Sequence, residues 1–184
     1  VKLLKKRVLL LTGAPGVGKT TVLIKTVEAL KTRGISVGGM ISREARESGE
    51  RVGFEILDLT NGKRGWLAQV NQKIGPQVGK YHVNLHDLES IGSEAILEAS
   101  EKCAVVAIDE IGPMELYSTK FKQTVKQAFV SGKFVLAVVH AKANDPLIAE
   151  AKQREDAEII QVTKENRDAL PETLRKLLQL FIET

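Results

Sequence analysis

Cysteine is nearly absent from this chain: Cys103 is the only one in 184 residues. A lone cysteine forms no internal disulfide, so the core must hold the fold, and a reducing cytoplasm is the expected compartment. Cys103 itself reads as a small core residue rather than a nucleophile. Long apolar runs are missing too. None approaches the ~18 residues of a membrane span. The basic start Val1-Lys2-Leu3-Leu4-Lys5-Lys6-Arg7 lacks the apolar stretch and cleavage site of a signal peptide and reads as a lead into the first strand. Aromatics make up 4% of the chain, too few for a platform that stacks single-stranded bases. Charge of one sign is concentrated nowhere: 27 Lys and Arg against 23 Asp and Glu leave a scattered +4. That pattern lacks the basic stripe of a nucleic-acid binder, so neither nucleic acid nor membrane is an expected partner. A mild positive excess equally suits a polyphosphate ligand. Repeats, low-complexity segments and linkers are also absent, so residues 1–184 read as one domain. The sequence leaves the oligomeric state open, a monomer included.

What is present is concentrated in two places. Gly13-Ala14-Pro15-Gly16-Val17-Gly18-Lys19-Thr20 matches the phosphate-loop pattern G-x-x-x-x-G-K-[ST]. The apolar run Val8-Leu9-Leu10-Leu11 precedes it as a buried strand. Thr21 to Lys31 follows, with Val22, Leu23, Val27 and Leu30 at helical spacing. Strand, glycine-rich turn and helix form the context in which the pattern has physical meaning. Backbone N–H groups converge on phosphate oxygens, and the helix N-terminus adds partial positive charge there. Residues 13–20 and Thr21 are the expected nucleotide contacts. Lys19 reaches the β- and γ-phosphates, and the Thr20 hydroxyl takes one position on Mg²⁺.

The second place is Ala104-Val105-Val106-Ala107-Ile108, an apolar run ending in Asp109-Glu110. Such a run suits a central parallel strand covered on both faces. Its C-terminal carboxylates would lie beside the phosphate loop, because open α/β sheets bind ligands along that edge. Asp109 is then the Mg²⁺ residue, directly or through water. Glu110 is the candidate to orient or deprotonate an attacking water.

Elsewhere the pattern alternates strand and helix. Arg33-Gly34 stops the first helix, and Ile35 to Ser42 reads as a strand. Arg51 to Thr60 and Lys63 to Val70 flank Asn61-Gly62, which predicts a two-residue hairpin turn in an antiparallel insertion over about 51–70. Gly75 to His82 reads as a loop, and Ser93 to Lys102 as a helix. Phe121, Val125 and Phe129 mark another helix, Lys133 to Val139 a strand, and Ala157 to Val162 the last strand. The polar stretch Ala141 to Arg154 predicts a helix that could cover the site. Pro171 opens a final helix with Leu174, Leu177, Leu178 and Phe181 inward. The expected fold is the α/β phosphate-loop fold: a mainly parallel sheet, helices on both faces, right-handed crossovers and an antiparallel hairpin. A further strand is expected between the loop strand and the acidic one.

Other candidates carry rival explanations. His140, at a strand end, would point at the γ-phosphate and sense it or hold the attacking water; a solvated terminus is the plain alternative. One of Arg43, Arg46, Arg51 and Arg64 is a candidate to neutralise charge on the transferred phosphoryl group; a solvated sheet edge explains the same residues. Within Thr163-Lys164-Glu165-Asn166-Arg167, Asn166 or Arg167 would lie against the base, and Asn166 also suits a helix cap.

These motifs together resemble one family. The loop at 13–20, Val105-Val106-Ala107-Ile108-Asp109-Glu110-Ile111-Gly112 and Thr163-Lys164-Glu165-Asn166-Arg167-Asp168-Ala169-Leu170-Pro171 follow its order. Arg51-Val52-Gly53-Phe54 and Val78-Gly79-Lys80-Tyr81 extend the likeness over essentially the whole chain. The chain resembles the small nucleoside-triphosphatases first described from thermophiles, also called cancer-related nucleoside triphosphatases. The resemblance implies Mg²⁺-dependent hydrolysis of the terminal phosphate of ATP, GTP, CTP and UTP alike, with Glu110 at the family's second acidic position. The main rival is a nucleotide or nucleic-acid kinase, for which the segment bearing Lys152 and Arg154 would serve as a lid. A regulatory GTPase is disfavoured, since the Asn-Lys-x-Asp string is absent.

Overall fold

A computed structural model of the protein describes residues 6–183; the basic segment at 1–5, read above as the lead into the first strand, lies outside them. Strand β1 (Val8–Thr12) is fully buried and feeds the phosphate loop, which opens helix α1 (Lys19–Lys31). Strand β2 (Val37–Glu47) follows, then β3 (Glu50–Asp58), β4 (Arg64–Gln69), β5 (Gln77–Val78) and β6 (Tyr81–Val83). A helical stretch runs from α2 (Leu85–Asp87) through a π turn (Leu88–Ser93) into α3 (Glu94–Lys102). The remainder is β7 (Val105–Ile111), a 3₁₀ turn (Glu115–Tyr117), α4 (Thr119–Val130), β8 (Phe134–Val139), α5 (Pro146–Gln153), β9 (Ala157–Gln161) and α6 (Leu170–Glu183).

Among the described residues these strands form one sheet of order β5-β6-β4-β3-β2-β7-β8-β1-β9. The run β2-β7-β8-β1-β9 is parallel. Strand β8 lies between the loop strand and the acidic strand, as expected. The physical reason for a two-sided core is visible in β1. Leu9 and Leu11 face a cluster with Val22, Leu23, Val27 and Leu30 of α1 and Leu174 and Leu178 of α6. Val8 and Leu10 face Ala95, Ile96 and Ala99 of α3, Phe121 and Val125 of α4 and Leu147 of α5. Alternate side chains point to opposite faces, so a strand apolar at every position needs a helical layer on each.

The antiparallel part departs from expectation in three ways. The two-residue turn is not Asn61-Gly62 but Ser48-Gly49, where both residues have positive φ (49° and 83°) and Glu47 pairs with Glu50. Paired positive φ is the primed geometry that matches strand twist. Between β3 and β4 the loop is instead Leu59–Gly62: Asp58 N–H donates to Lys63 O, and the Asp58 and Asn61 carboxylate and amide oxygens accept from Thr60 N–H and Lys63 N–H. Gly75 to His82, read as a loop, holds the two small strands β5 and β6, too short to show a period. The helix read at Ser93 to Lys102 stands as α3; ahead of it the helical stretch begins at Leu85, where the Asn84 side chain accepts from Asp87 N–H as a cap. Cys103 is buried, as read.

Candidate active site

The phosphate loop is shaped by close approach. A side chain at Gly13 would put its Cβ 2.6 Å from the Val162 carbonyl, so only glycine lets the end of β9 close on the loop. Gly18 caps α1 at φ 111°, a left-handed turn that aims the first free N–H groups of the helix into the cavity. Lys19 curls back over this cup. Its Nζ donates to the carbonyls of Gly13 and Ala14, each at 3.0 Å. Val17 is buried against the loop's own helix face.

A cavity of about 690 Å³ opens from the loop. Gly13, Pro15, Gly16, Gly18, Lys19, Thr20 and Thr21 form one end of its lining, and Asp109, Glu110 and His140 stand beside them. The two sequence motifs therefore meet in space. Parallel pairing of β7 with β8 and of β8 with β1 brings their C-terminal ends to one edge.

Asp109 is 1% exposed, and its Oδ2 has no hydrogen-bond partner. Burial pushes its carboxyl up to about 7; the Glu110 charge adds to that, while a hydrogen bond with Thr20 and the charge of Lys19 oppose it. A buried, unpartnered carboxylate oxygen is costly unless something positive meets it. Among the described residues no group of three or more His, Cys, Asp or Glu could hold a metal by itself. That combination suits Mg²⁺, which takes one or two protein oxygens and completes its shell with phosphate and water. Thr20 and Asp109 are the groups that would hold it.

Glu110 is half-buried. Burial raises its carboxyl, and His140 and Lys19 pull it back. It folds across Gly112, where an added Cβ would lie 2.6 Å from Glu110 Oε1. His140 lines the same space, and its Nδ1 accepts the Lys142 N–H at 3.2 Å. In its neutral form the ring then carries its proton on Nε2.

One acid was missed by sequence reading. Glu115 lines the cavity while being 2% exposed. Burial pushes it well above the usual carboxylate range, the Glu110 charge adds, and backbone N–H groups of Glu115 and Gly112 oppose. It sits on a single 3₁₀ turn, which leaves no periodic signature.

The remaining candidates separate. Arg43 lines the cavity, whereas Arg46 and Arg51 both bind Glu44, each within 2.9 Å, and Arg64 lies exposed on β4 outside the lining. Arg167 is placed against the loop itself: its Nη1 donates to Val17 O at 3.1 Å. Asn166 is engaged within its turn, with Oδ1 accepting from Thr163 N–H and Nδ2 donating to Gln161 O. The stretch expected to cover the site contributes Ala141 and Lys142. Its Arg154, read as part of a lid, is instead held by Asp156 and the Phe129 carbonyl.

Comparison with known proteins gives the same picture. Residues 8–175 match the model of the family described as NTPase. The chain is 48% identical over 168 residues to the nucleoside-triphosphatase THEP1 of Thermofilum pendens, covering 91% of this chain and 92% of that one. With its counterpart from Methanosarcina acetivorans it shares 48% over 164 residues, 89% of this chain and 91% of the other. The crystal structure of THEP1 from Aquifex aeolicus superposes with a TM-score of 0.81 at 34% identity, over 94% of this chain and 99% of that one. The solution structure of a human cancer-related nucleoside triphosphatase gives 0.80 at 36%, over 94% and 97%. A buried phosphate-loop strand, two acids on the next strand but one, and this agreement along nearly the whole chain place the protein in the NTPase family.

Proposed function

We propose that this nucleoside-triphosphatase hydrolyses the terminal phosphate of nucleoside triphosphates with Mg²⁺ and accepts several bases. The observation that carries the reading is the Asp109 oxygen, buried and unpartnered, next to Thr20 at the mouth of a phosphate loop. Loop N–H groups and the helix terminus would hold the β- and γ-phosphates, and Lys19 would exchange its two loop carbonyls for phosphate oxygens. Thr20 and Asp109 would hold Mg²⁺, which would supply charge neutralisation for phosphoryl transfer. Glu110, whose carboxyl burial raises above its ordinary value, would be in its ionised form a stronger base than an exposed carboxylate and suits acceptance of a proton from the attacking water. Water oxygen bonds to the γ-phosphorus, the bridging oxygen leaves with the diphosphate, and the proton passes to Glu110. His140 would steady that water. Arg167 braces the loop from behind.

The turn at 163–166 supports breadth of base acceptance. The Asn166 amide is turned to the backbone there, with Oδ1 accepting from Thr163 N–H and Nδ2 donating to Gln161 O, rather than held toward a base edge. The test is phosphate release from ATP, GTP, CTP and UTP, with and without Mg²⁺, beside Glu110→Gln. Release from all four, dependent on metal and reduced by about two to four orders of magnitude in the variant, is expected. Normal turnover in Glu110→Gln would remove that residue from the mechanism.

A further inference from the structure

The hydrolytic steps leave one acid of the cavity wall without a role. Glu115 lines the cavity and is 2% exposed, and among the described residues it has no ion pair. A buried carboxyl with no cation to meet it is costly. The same lining accepts the apolar Phe54, Leu67, Val78 and Met114, so nothing in the wall demands a polar residue at 115. The hydrogen bonds of this acid go to backbone: its carboxyl accepts from the N–H groups of Gly112 and of Glu115 itself.

Gly112 is where this bears on the reaction. The Glu110 side chain lies across its Cα, and a Cβ added at 112 would stand 2.6 Å from Glu110 Oε1, 3.1 Å from Cδ and 3.2 Å from Cγ. Glu110 and Glu115 therefore meet the same residue, one over its Cα and the other at its N–H. The Gly112 carbonyl accepts Leu116 N–H at 3.0 Å, so the peptide groups on both sides of that Cα are held. The turn is tied outward as well. Glu115 O accepts Ser118 N–H at 3.1 Å, and Ser118 Oγ donates to Glu89 of the π turn at 2.8 Å. Before Gly112, Ile111 O accepts His140 N–H at 3.1 Å, which fastens the end of β7 to the end of β8. Glu110 thus rests on a turn pinned at 111, 112 and 115.

We propose that Glu115 is a positioning residue for hydrolysis: it holds the Gly112 N–H, fixes the turn on which the Glu110 side chain rests, and so keeps the Glu110 carboxyl aimed at the attacking water. The inference rests on the role proposed above for Glu110. Glu115 need not touch the reacting atoms, and no proton moves to or from it. Holding an N–H takes an acceptor in the right place, not a charge. A side-chain amide supplies that acceptor from its oxygen, so Glu115→Gln keeps the seat, whereas Glu110→Gln removes the base itself. The two neighbouring acids should therefore respond to the same substitution in opposite ways. A reacting group misplaced by about 1 Å loses on the order of a hundredfold in rate, which sets the size of the effect.

The test measures phosphate release from ATP with Mg²⁺ by the full chain, the folding of each variant being checked by circular dichroism. Glu115→Ala should lower kcat by about ten- to a hundredfold with the KM for ATP unchanged, and Glu115→Gln should restore kcat. In the Glu110→Gln background, Glu115→Ala should cost nothing further, because its effect runs through Glu110. Gly112→Ala is the second variant if Glu115→Ala fails to fold. The added Cβ meets the movable end of Glu110, so the fold should survive while the carboxyl is displaced, and kcat should fall with KM unchanged. Normal kcat in folded Glu115→Ala, or in Gly112→Ala, overturns the inference. So does a loss that appears in KM, that Glu115→Gln shares, or that adds to the loss in Glu110→Gln. Each of these results leaves the hydrolase reading standing where Glu110→Gln is itself impaired. Normal turnover in Glu110→Gln is the separate result that removes the Glu110 role, and this inference with it.

Discussion

At the scale of single residues, charge and space decide. Lys19 bonds its ammonium to two loop carbonyls, so its charge is held at the site. Lys19→Ala should therefore weaken triphosphate binding and turnover together, measured by titration calorimetry and phosphate release; tight binding in the variant would place the lysine elsewhere. Gly39 shows the role of space. It has φ 113°, and an added Cβ would fall 2.0 Å from the Ala107 carbonyl of β7. Gly39→Ala should destabilise the fold by about 3 kcal/mol in urea denaturation, joining left-handed strain to overpacking. Since Ala107 stands two residues before Asp109, what remains folded should also lose turnover.

At the scale of elements, ends matter more than middles. Ser118 caps α4 by accepting from Phe121 N–H at 3.0 Å and donates to Glu89 of the π turn at 2.8 Å. It is 1% exposed, so the buried Phe121 N–H would find no water in its place. Ser118→Ala should cost about 1–2 kcal/mol, read by urea denaturation. Elements with a period were legible in the sequence: the helix of Phe121, Val125 and Phe129, the β1 and β7 runs, and the final helix all stand where the pattern put them. The phosphate loop and Asp109 were legible because their chemistry needs fixed residue types at fixed spacing. The Ser48-Gly49 turn was not, because Asn61-Gly62 is the stronger local signal and β2 loses its apolar run after Ser42. Glu115, Phe54 and Val78 were not legible as site residues either. Their meeting depends on how an antiparallel extension curls beside β7, which no local pattern encodes.

At the scale of the whole molecule, ligand and fold are linked. A triphosphate held by the loop stabilises only the folded chain, by about 2.7 kcal/mol at a hundredfold excess over its Kd. In a domain of this size that corresponds to a rise in Tm of about 5–10 °C, and scanning calorimetry should find it with Mg²⁺ and ATP and miss it in Lys19→Ala. Among the described residues no helix is long and apolar enough to cross a membrane, so the expectation of no span holds to that extent. The sheet order has a consequence for the history of each molecule. Strand β1 is made before the neighbours that complete both of its edges, β8 and β9, which follow only after Lys133. The bond from Arg167 to the loop comes later still. Strand β1 therefore waits for both edge partners while the residues from 13 to 133 are synthesised. The phosphate cup, though its own residues come before β8 and β9 in the chain, is complete only after both have been made.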